Sequence, residues 1–237
     1  MDAVAWTPPF LATLAPVPAR WLSFDCFGTL VDWRHGFTIT GELLFPGRGD
    51  EVRDAYLDHE LEIERGTPAP RYREVLTEGL RRAAADLSLP LHEDDAGALA
   101  VTLPYWPVFP DVGGALTACR DDGWRLALLT NCDRELIALT RRRLPVPFDA
   151  VVTAEDVGAY KPDPAHFHHF RDVYAPARWI HVAQSHHHDI RPCATLGIPS
   201  IWINRLGEPH DPSLAAAILA DLTGLPDAVR RLAGTSP

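Results

Sequence analysis

Short apolar runs that alternate with helical segments constrain the fold of this chain more than any other feature of its sequence. Each run is four to six residues long, is rich in Ile, Val, Leu and Trp, and is bounded by polar residues, Gly or Pro. Continuous apolar runs of this length are typical of strands covered on both faces of a parallel sheet. Strands are therefore predicted at residues 21–24, 125–130, 150–153, 179–183 and 200–204. The pattern predicts an α/β fold with a parallel sheet of about five strands flanked by helices.

About a hundred residues separate the first two predicted strands, far more than a crossover connection requires. Between residues 50 and 85, apolar side chains recur at roughly helical spacing. They are Val52, Tyr56, Leu57, Leu61, Ile63, Tyr72, Val75, Leu76, Leu80 and Ala84. We therefore expect an inserted helical cap at residues 34–106 and a core at residues 20–33 and 107–237. The Pro-rich stretch at residues 104–110 is the expected return hinge, because proline resists helix formation.

The N-terminal residues 1–19 are apolar, but Pro8, Pro9, Pro16 and Pro18 interrupt them. The basic segment that opens a secretory signal peptide is also absent ahead of the apolar residues. We therefore expect an extended N-terminal arm at residues 1–19.

Charge and cysteine usage narrow the class of protein. With 32 acidic and 22 basic residues the formal net charge is -10, which would repel the phosphates of a nucleic acid. No run reaches the ~18 consecutive apolar residues of a membrane span. The four cysteines lie far apart and form no C-x-x-C pair, which indicates reduced thiols. We expect a cytoplasmic protein whose partner is a small-molecule substrate, with neither nucleic acid nor a membrane bound.

Chemically useful side chains follow four of the predicted segments, at the points where strands end. The first strand leads into FDCFGTLVD at residues 24–32, and the second into Thr130-Asn131-Cys132. YKPDP stands at residues 160–164 after the third strand, and QSHHHD at residues 184–189 after the fourth. In open α/β sheets the ligand lies outside the carboxyl ends of the strands. A carboxylate, a hydroxyl, a lysine and a second carboxylate are therefore expected to converge.

These four segments and their order resemble the motifs of the haloacid dehalogenase superfamily over residues 20–207. Residues 24–32 and 160–164, together with IWINR at residues 201–205, are most similar to the L-2-haloacid dehalogenase branch. The resemblance implies a Rossmann-like core, a helical cap whose closure shields the site from water, and a homodimer.

The resemblance also implies catalytic roles for four residues. Asp25 would be the nucleophile, since a carboxylate can form a covalent ester and divide one difficult displacement into two steps. Thr29 would donate to that carboxylate or to the substrate. Lys161 would hold Asp25 ionised and stabilise a developing anion. Asp189 would pair with Lys161 and orient the water that resolves the ester.

Further residues around these motifs are expected to bind the substrate. Thr130 and Asn131 would hold an anionic group near a helix N-terminus. The remaining candidates are Cys26, Phe27, Ser185 and His186. The Cys26 side chain itself is expected to point away from Asp25, because successive side chains of an extended segment alternate in direction.

Two residues depart from the phosphatases of this superfamily. Those enzymes place an aspartate where this chain has Phe27, to protonate the leaving oxygen, and a magnesium-binding aspartate where it has Gln184. Without these groups phosphoester cleavage and Mg2+ binding are both weakened, whereas a halide leaves without a proton. The sequence therefore favours attack on carbon without a metal cofactor. The alternative is a Mg2+-dependent phosphatase that holds the ion with Asp25, the Phe27 carbonyl and Asp189.

Three residues also depart from the L-2-haloacid dehalogenases. The family's halide-binding arginine on the first cap helix corresponds to Leu57, a tyrosine after the motif lysine to Phe167, and an asparagine near the fourth motif to His186. Arginines of the cap that could replace the missing one are Arg53, Arg65 and Arg71. Leu57 and Phe167, together with Gln184, suggest a third hypothesis, a catalytically quiet protein that binds a small anion or a partner protein.

Histidines cluster at residues 166–169 and 186–188, which suggests a transition-metal site. Consecutive histidines do not point in one direction, however, and no H-E-x-x-H spacing occurs. We therefore expect His186 or His188 to line the active site rather than to bind a metal.

Overall fold

The computed structural model describes residues 19–234, so the arm predicted at residues 1–19 lies outside the described residues except for Ala19. The strands in this range are β1 (Arg20–Phe24), β2 (Arg125–Thr130), β3 (Ala150–Thr153), β4 (Arg178–Ala183), β5 (Ser200–Ile203) and β6 (Ala217–Leu219). The α-helices in the same range are α1 (Trp33–Leu44), α2 (Gly49–Glu64), α3 (Tyr72–Asp86), α4 (Ala98–Thr102), α5 (Val112–Asp121), α6 (Arg134–Thr140), α7 (Ala154–Val157), α8 (Ala165–Tyr174), α9 (Arg191–Thr195) and α10 (Leu225–Ala233). None of the helices between residues 19 and 234 is both long and apolar enough to cross a membrane.

The strands form one parallel sheet in the order β3-β2-β1-β4-β5-β6. β1 lies inside the sheet, where Trp21 pairs with Arg125 of β2 on one side and with Trp179 of β4 on the other. Residues 21–24 are buried, as expected for a strand that has helices on both faces. The predicted α/β, Rossmann-like fold is confirmed.

The sheet has one strand more than the five predicted from the sequence, because β6 pairs with β5 at the edge. This strand is three residues long and only partly buried. It lies in the run AAAILA at residues 215–220, whose alanines favour helix. Pairing with β5 overrides that local preference, as tertiary context often does.

Helices α1 to α4 lie between β1 and β2, and we call residues 33–105 the cap and the other described residues the core. The two connections between cap and core run side by side. The N–H of Asp32 donates to the carbonyl of Pro107 at 2.8 Å, and the N–H of Phe109 donates to the carbonyl of Leu30 at 2.9 Å. Two backbone hydrogen bonds therefore hold the two connections together where the cap meets the core.

A third contact between cap and core is made by Asp133, which precedes α6. Its carboxylate accepts hydrogen bonds from the N–H groups of Tyr72, at 2.7 Å, and Arg73, at 2.9 Å. These N–H groups belong to the first turn of α3 and have no partner within the helix. A carboxylate of the core thus provides hydrogen-bond acceptors for the first N–H groups of α3.

Apolar side chains fill both faces of the sheet. One face carries the larger cluster, which includes Leu22 and Phe24 and continues into the cap through Phe37 and Tyr56. The other face packs Trp21 of β1 against the aromatic residues of α8 and β4. Packing on both faces leaves the carboxyl ends of the strands as the place where polar side chains can gather.

Candidate active site

A cavity of about 900 Å³ opens between cap and core at the carboxyl ends of the strands. A volume of this size accommodates a small organic molecule. Of the predicted site residues, the cavity is lined by Asp25, Phe27, Thr130, Asn131, Lys161, Ser185, His186 and Asp189. Side chains from segments that are distant in sequence are therefore brought to one place.

Asp25 directly follows β1 and lines the cavity from the core. Its Oδ2 accepts a hydrogen bond from the hydroxyl of Thr29 at 2.9 Å. The hydroxyl oxygen of Thr29 accepts a hydrogen bond from the N–H of Gln184, also at 2.9 Å. The hydroxyl thus acts both as a donor and as an acceptor. Gly28 makes the turn between Asp25 and Thr29 with φ of 100°, a conformation that other residues rarely adopt. Thr29 is fully buried and positions Asp25 rather than lining the cavity.

Lys161 is the only lysine in the sequence, and its side chain is buried. Its Nζ donates to Oδ1 of Asp25 at 3.0 Å, to Oδ1 of Asp189 at 2.7 Å and to the carbonyl of Leu129 at 2.9 Å. These three bonds use all the hydrogens of the ammonium group. We call this arrangement the Lys161 bridge, since one cation joins two carboxylates that follow different strands, β1 and β4.

The pKa values of the three bridged groups depend on burial and on each other. Burial raises the pKa of Asp25, which Lys161 opposes and the charge of Asp189 reinforces. Burial also acts to raise the pKa of Asp189, but Lys161 and His181 lower it overall. Burial acts to lower the pKa of Lys161, but Asp189 and Asp25 raise it overall. Lys161 and Asp189 are thus charged near neutral pH, and the ionised form of Asp25 depends on the Lys161 ammonium.

Behind Asp189, buried hydrogen bonds run back through β4 and β1. Nε2 of His181 lies 3.0 Å from Oδ1 of Asp189, and Nδ1 lies 2.7 Å from Oγ of Ser23. Trp179 donates from Nε1 to the same Ser23 oxygen at 2.7 Å. Because an ionised carboxylate only accepts, Nε2 of the ring carries the hydrogen of this bond. His181 thereby holds Asp189, and nothing in the strand-end motifs pointed to it.

The other oxygen of Asp189, Oδ2, is buried and has no hydrogen-bond partner among the described residues. The hydroxyl of Thr130 is in the same situation, although Thr130 lines the cavity. Buried polar atoms normally have a partner, so both atoms are available to a substrate or to a water molecule.

Asn131 positions Lys161. Its Oδ1 accepts from the N–H of Lys161 at 2.7 Å, and its Nδ2 donates to the carbonyl of Lys161 at 3.1 Å. The amide that was expected to bind substrate therefore holds the backbone of the lysine, while Asn131 also lines the cavity.

Three of the other predicted binding residues lie in the cavity wall. Phe27 packs edge-to-face on Trp106 at 6.0 Å between ring centroids. Ser185 accepts from the N–H of His188 at 3.0 Å and so opens the π-helical turn His186–Ile190. His186 donates from Nε2 to the carbonyl of Asp211 at 3.1 Å.

Cys26 is the predicted binding residue that the structure places elsewhere. Its side chain is fully buried in the larger apolar cluster and is not part of the cavity wall. This is the orientation expected when Asp25 faces the cavity from the preceding position. Burial raises the pKa of the Cys26 thiol well above its usual value, so it is a packing residue.

The cap side of the cavity carries Leu57, as the alignment of the sequence suggested, and two arginines. Arg53 pairs with Asp50 at 2.6 Å and with Asp54 at 2.8 Å. Arg34 stacks on the ring of Trp33 at 5.1 Å and has no ion pair with any described residue. Arg34 is therefore the cavity arginine that is free to bind an anion, and its place at the start of α1 gave no such signal in the sequence.

Arg65, Arg71 and Phe167 do not line the cavity. Arg71 pairs with Glu155 at 3.0 Å on the surface. Phe167 is fully buried in the second apolar cluster, where its ring meets that of His181 edge-to-face at 5.2 Å. It supports His181 rather than touching a substrate.

Residues of the cavity do not form a recognisable cation site. Oδ1 of Asp25 and Oδ1 of Asp189 are both occupied by Lys161. Gln184, where a phosphatase carries a carboxylate, donates from Nε2 to Glu208 at 3.2 Å. Among the described residues, no group of three or more His, Cys, Asp or Glu side chains is arranged to hold a metal ion.

The histidines of the two clusters have separate surroundings. Burial lowers the pKa of His166 to about 3 and that of His188 to about 4, so both rings are neutral. His166 contacts the carbonyl of Thr130 through Nε2 at 3.1 Å. The ring of His186 stacks on that of His210 at 4.7 Å. His186, His187 and His188 line the cavity.

Comparisons with known proteins point to one family. A family model described as haloacid dehalogenase-like hydrolase matches residues 20–182. Haloacetate dehalogenase H-2 from Moraxella sp. (strain B) is 27% identical, over 80% of this chain and 88% of the relative. (S)-2-haloacid dehalogenase 1 from Pseudomonas sp. (strain CBS-3) is also 27% identical, over 91% of this chain and 98% of the relative.

A solved structure has the same architecture. The L-2-haloacid dehalogenase RSc1362 superposes with a TM-score of 0.81 at 25% identity, covering 90% of this chain and 100% of that one. The resemblance predicted from the strand-end motifs is therefore confirmed.

Proposed function

Because this chain belongs to the haloacid dehalogenase-like hydrolases, we propose that it hydrolyses the carbon–halogen bond of a small 2-halo carboxylic acid through a covalent ester of Asp25. The observation that carries the proposal is the Lys161 bridge, which holds Asp25 and Asp189 together on the floor of one cavity. The relatives named as haloacid dehalogenases support the same substrate class.

In the first step a carboxylate oxygen of Asp25 attacks the carbon that bears the halogen. The C–O bond forms as the carbon–halogen bond breaks, and the halide departs with the bonding electron pair. Thr29 and Lys161 hold the carboxylate in one orientation, which favours an in-line approach. Arg34, which has no ion pair among the described residues, is the cavity cation suited to the substrate carboxylate.

In the second step water adds to the carbonyl carbon of the Asp25 ester. Oδ2 of Asp189, which has no partner among the described residues, accepts a hydrogen bond from that water and orients it. Cleavage of the acyl C–O bond returns the Asp25 carboxylate and releases a 2-hydroxy acid. One proton of the water ends on the product hydroxyl, and the other passes to solvent. The product hydroxyl thus carries an oxygen from Asp25, and Asp25 acquires one from water.

The same residues argue against a phosphatase. Phe27 offers no acid to protonate a leaving alkoxide. Gln184, where a phosphatase carries a magnesium-binding carboxylate, supplies an amide that donates to Glu208. We therefore propose a reaction that uses no metal cofactor.

The proposed function is tested by halide release from a panel of short 2-halo acids in the presence of EDTA. We expect release by the wild type and loss of at least ~1,000-fold in Asp25→Asn. Asp172→Asn, on the exposed side of α8, is the matched control. A single turnover in H2 18O should place 18O in the peptide that contains Asp25. Absence of halide release across the panel would contradict the proposal, and phosphate release with Mg2+ or tight anion binding without turnover would identify the two alternative functions.

Two further expectations accompany this proposal. We propose a cytoplasmic enzyme, which agrees with four buried free thiols among the described residues. We also propose a homodimer, since large apolar side chains are exposed on α1, at Ile39 and Leu43. Light scattering during size-exclusion chromatography tests the dimer, and a mass of one chain would contradict it.

A further inference from the structure

Two carboxyl groups line the cap side of the cavity, one helical turn apart on α2. Glu60 accepts hydrogen bonds at Oε1 from the hydroxyls of Tyr56, at 2.9 Å, and Tyr72, at 3.3 Å. Glu64 has no hydrogen bond or ion pair with any described residue, although only 8% of its surface is exposed. The cavity thus contains an acid whose hydrogen-bonding capacity is unused within the described chain.

The surroundings of Glu64 favour its protonated form. Lys161 is the cation that acts on it, but the ammonium hydrogens already go to Asp25, Asp189 and Leu129. An unpaired carboxyl group away from water takes up a proton rather than carrying a charge. In agreement, burial raises the pKa of Glu64 to about 9, with Glu60 adding to the rise and Lys161 opposing it. Near neutral pH Glu64 is a carboxylic acid and can donate.

Other titratable groups face Glu64 from its own helix and from two neighbouring elements. Tyr56 and Glu60 lie on α2, Tyr72 lies on α3, and Tyr160 and Lys161 follow β3. Burial raises the pKa of Glu60 as well, against the hydrogen bonds from Tyr56 and Tyr72. Burial also raises the pKa values of Tyr72 and Tyr160. Both tyrosines therefore remain protonated at pH 9. Glu60 is the neighbour whose titration must be distinguished from that of Glu64, which requires a Glu60 variant.

We infer that Glu64 donates a hydrogen bond to the leaving group from the cap side of the cavity. The inference rests on the proposed function. Displacement at carbon requires the leaving atom to lie opposite the attacking oxygen, so attack by Asp25 from the core drives that atom towards the cap. As the carbon–halogen bond breaks, its electron pair moves to the halogen. The O–H of Glu64 stabilises this charge while the proton stays on Glu64.

This role identifies the substrate class more closely. Leu57, on the same helix, has no hydrogen to donate, and Glu64 supplies one from the same wall of the cavity. A hydrogen-bond donor helps most when the leaving atom is basic and leaves poorly, as fluoride does. The substrates that gain most from Glu64 are therefore 2-fluoro acids, followed by chloro and then bromo acids.

The test measures halide release from 2-fluoro, 2-chloro and 2-bromo acids by wild type, Glu64→Ala and Glu64→Gln. We expect Glu64→Ala to lower kcat on the fluoro acid about ten- to a hundredfold, and on the bromo acid by much less. Glu64→Gln keeps an N–H donor and should stay within a few-fold of wild type. Glu62→Gln is the matched control, because Glu62 lies exposed on α2 and pairs with Arg82.

A second measurement follows the binding of fluoride and chloride ions by calorimetry, which needs no turnover. Wild-type affinity should fall about tenfold for each pH unit above 9 as Glu64 ionises, and Glu64→Gln should remove that fall. Glu60→Gln should retain it. The inference would be overturned if Glu64→Ala lowered kcat equally on all three halo acids. It would also be overturned if halide affinity of Glu64→Gln fell above pH 9 as steeply as that of the wild type.

The two measurements separate this inference from the function on which it rests. If wild type releases no halide but binds halide in a Glu64-dependent manner, the dehalogenase proposal fails and the Glu64 donor stands. If halide is released and Glu64→Ala matches the wild type in turnover and halide binding, the proposed donor role of Glu64 is wrong and the dehalogenase proposal is supported. If the wild type neither binds nor releases halide, both proposals are overturned.

Discussion

His181 holds Asp189 by a hydrogen bond of 3.0 Å from Nε2 to Oδ1, inside the sheet and away from the cavity. Both side chains are fully buried, and Ser23 sets the ring from the other nitrogen. Asp189 therefore presents its second oxygen, Oδ2, in one orientation. The relationship couples a residue in the middle of β4 to the step in which water resolves the ester.

His181→Leu should slow hydrolysis of the Asp25 ester more than its formation. Loss of a hydrogen bond to a charged group corresponds to about a ten- to hundredfold lower kcat. The ester should then accumulate, and intact-protein mass spectrometry during turnover would detect the added mass. Ser200→Ala is the control, since the Ser200 hydroxyl is buried without a partner among the described residues. An unchanged ester population in His181→Leu would show that His181 has no part in this step.

Arg34→Ala should raise KM for halo acids about ten- to a hundredfold and change kcat much less. An arginine that binds the carboxylate equally in the ground and transition states contributes mainly to KM. Arg34→Lys should recover part of the loss. Arg142→Ala, at an exposed position after α6, controls for the change in net charge. A KM for Arg34→Ala equal to that of the wild type would assign carboxylate binding to another residue.

Lys161→Met should destabilise the fold by about 3–5 kcal/mol at pH 8, because it leaves Asp25 and Asp189 buried without their cation. Without Lys161 the folded-state pKa of these carboxyls rises above the unfolded value, so the lost stability returns as they protonate at lower pH. Urea unfolding at pH 5 and pH 8 would measure the difference. A loss of stability that is the same at both pH values would contradict this account of the Lys161 bridge.

Glu64→Gln should change how stability depends on pH. The pKa of Glu64 is about 9 in the folded chain, above its value when unfolded, so the folded state binds one more proton in between. Unfolding free energy from this group then falls by about 1.4 kcal/mol per pH unit from the unfolded pKa up to about 9. The wild type should thus lose stability relative to Glu64→Gln between pH 5 and pH 9, as followed by urea unfolding. Parallel curves for the two proteins would show that Glu64 is ionised when folded.

Dialysis against EDTA should leave halide release unchanged, and added Mg2+ should not stimulate it. Lys161 already holds one oxygen of Asp25 and one of Asp189, and Gln184 offers an amide in place of a further carboxylate, so the site supplies few anionic ligands for Mg2+. Activity assays before and after dialysis make the comparison. Recovery of lost activity by Mg2+ would instead support the phosphatase-like use of this site.

The strands that carry the site were predictable because buried parallel strands leave a local signature, a short apolar run followed by polar residues. Asp25 follows such a run directly, and Lys161 follows the third run after the short helix α7, so their convergence was predictable from the parallel topology. β6 left no signature of this kind, since its alanine-rich run becomes a strand only by pairing with β5.

The residues that escaped prediction depend on tertiary geometry. His181 stands inside β4, where its neighbours are apolar, and its bond to Asp189 depends on the π-helical turn that returns Asp189 to the sheet. The apolar spacing placed Leu61 on the packed face of α2, yet Leu61 is 39% exposed and Glu64 is buried. The repeat of Tyr56, Glu60 and Glu64 every four residues was the available signal, and it marks the face that meets the cavity.

A single lysine at the centre of the Lys161 bridge makes this chain unusually easy to follow by spectroscopy. Lysine labelled with 15N or 13C would give one side-chain resonance, from Nζ or Cε of Lys161, without assignment. Because that ammonium is buried and donates three hydrogen bonds, its signal would shift when Asp25 becomes an ester and loses its charge. One nucleus would thus report in real time which chemical state the nucleophile occupies.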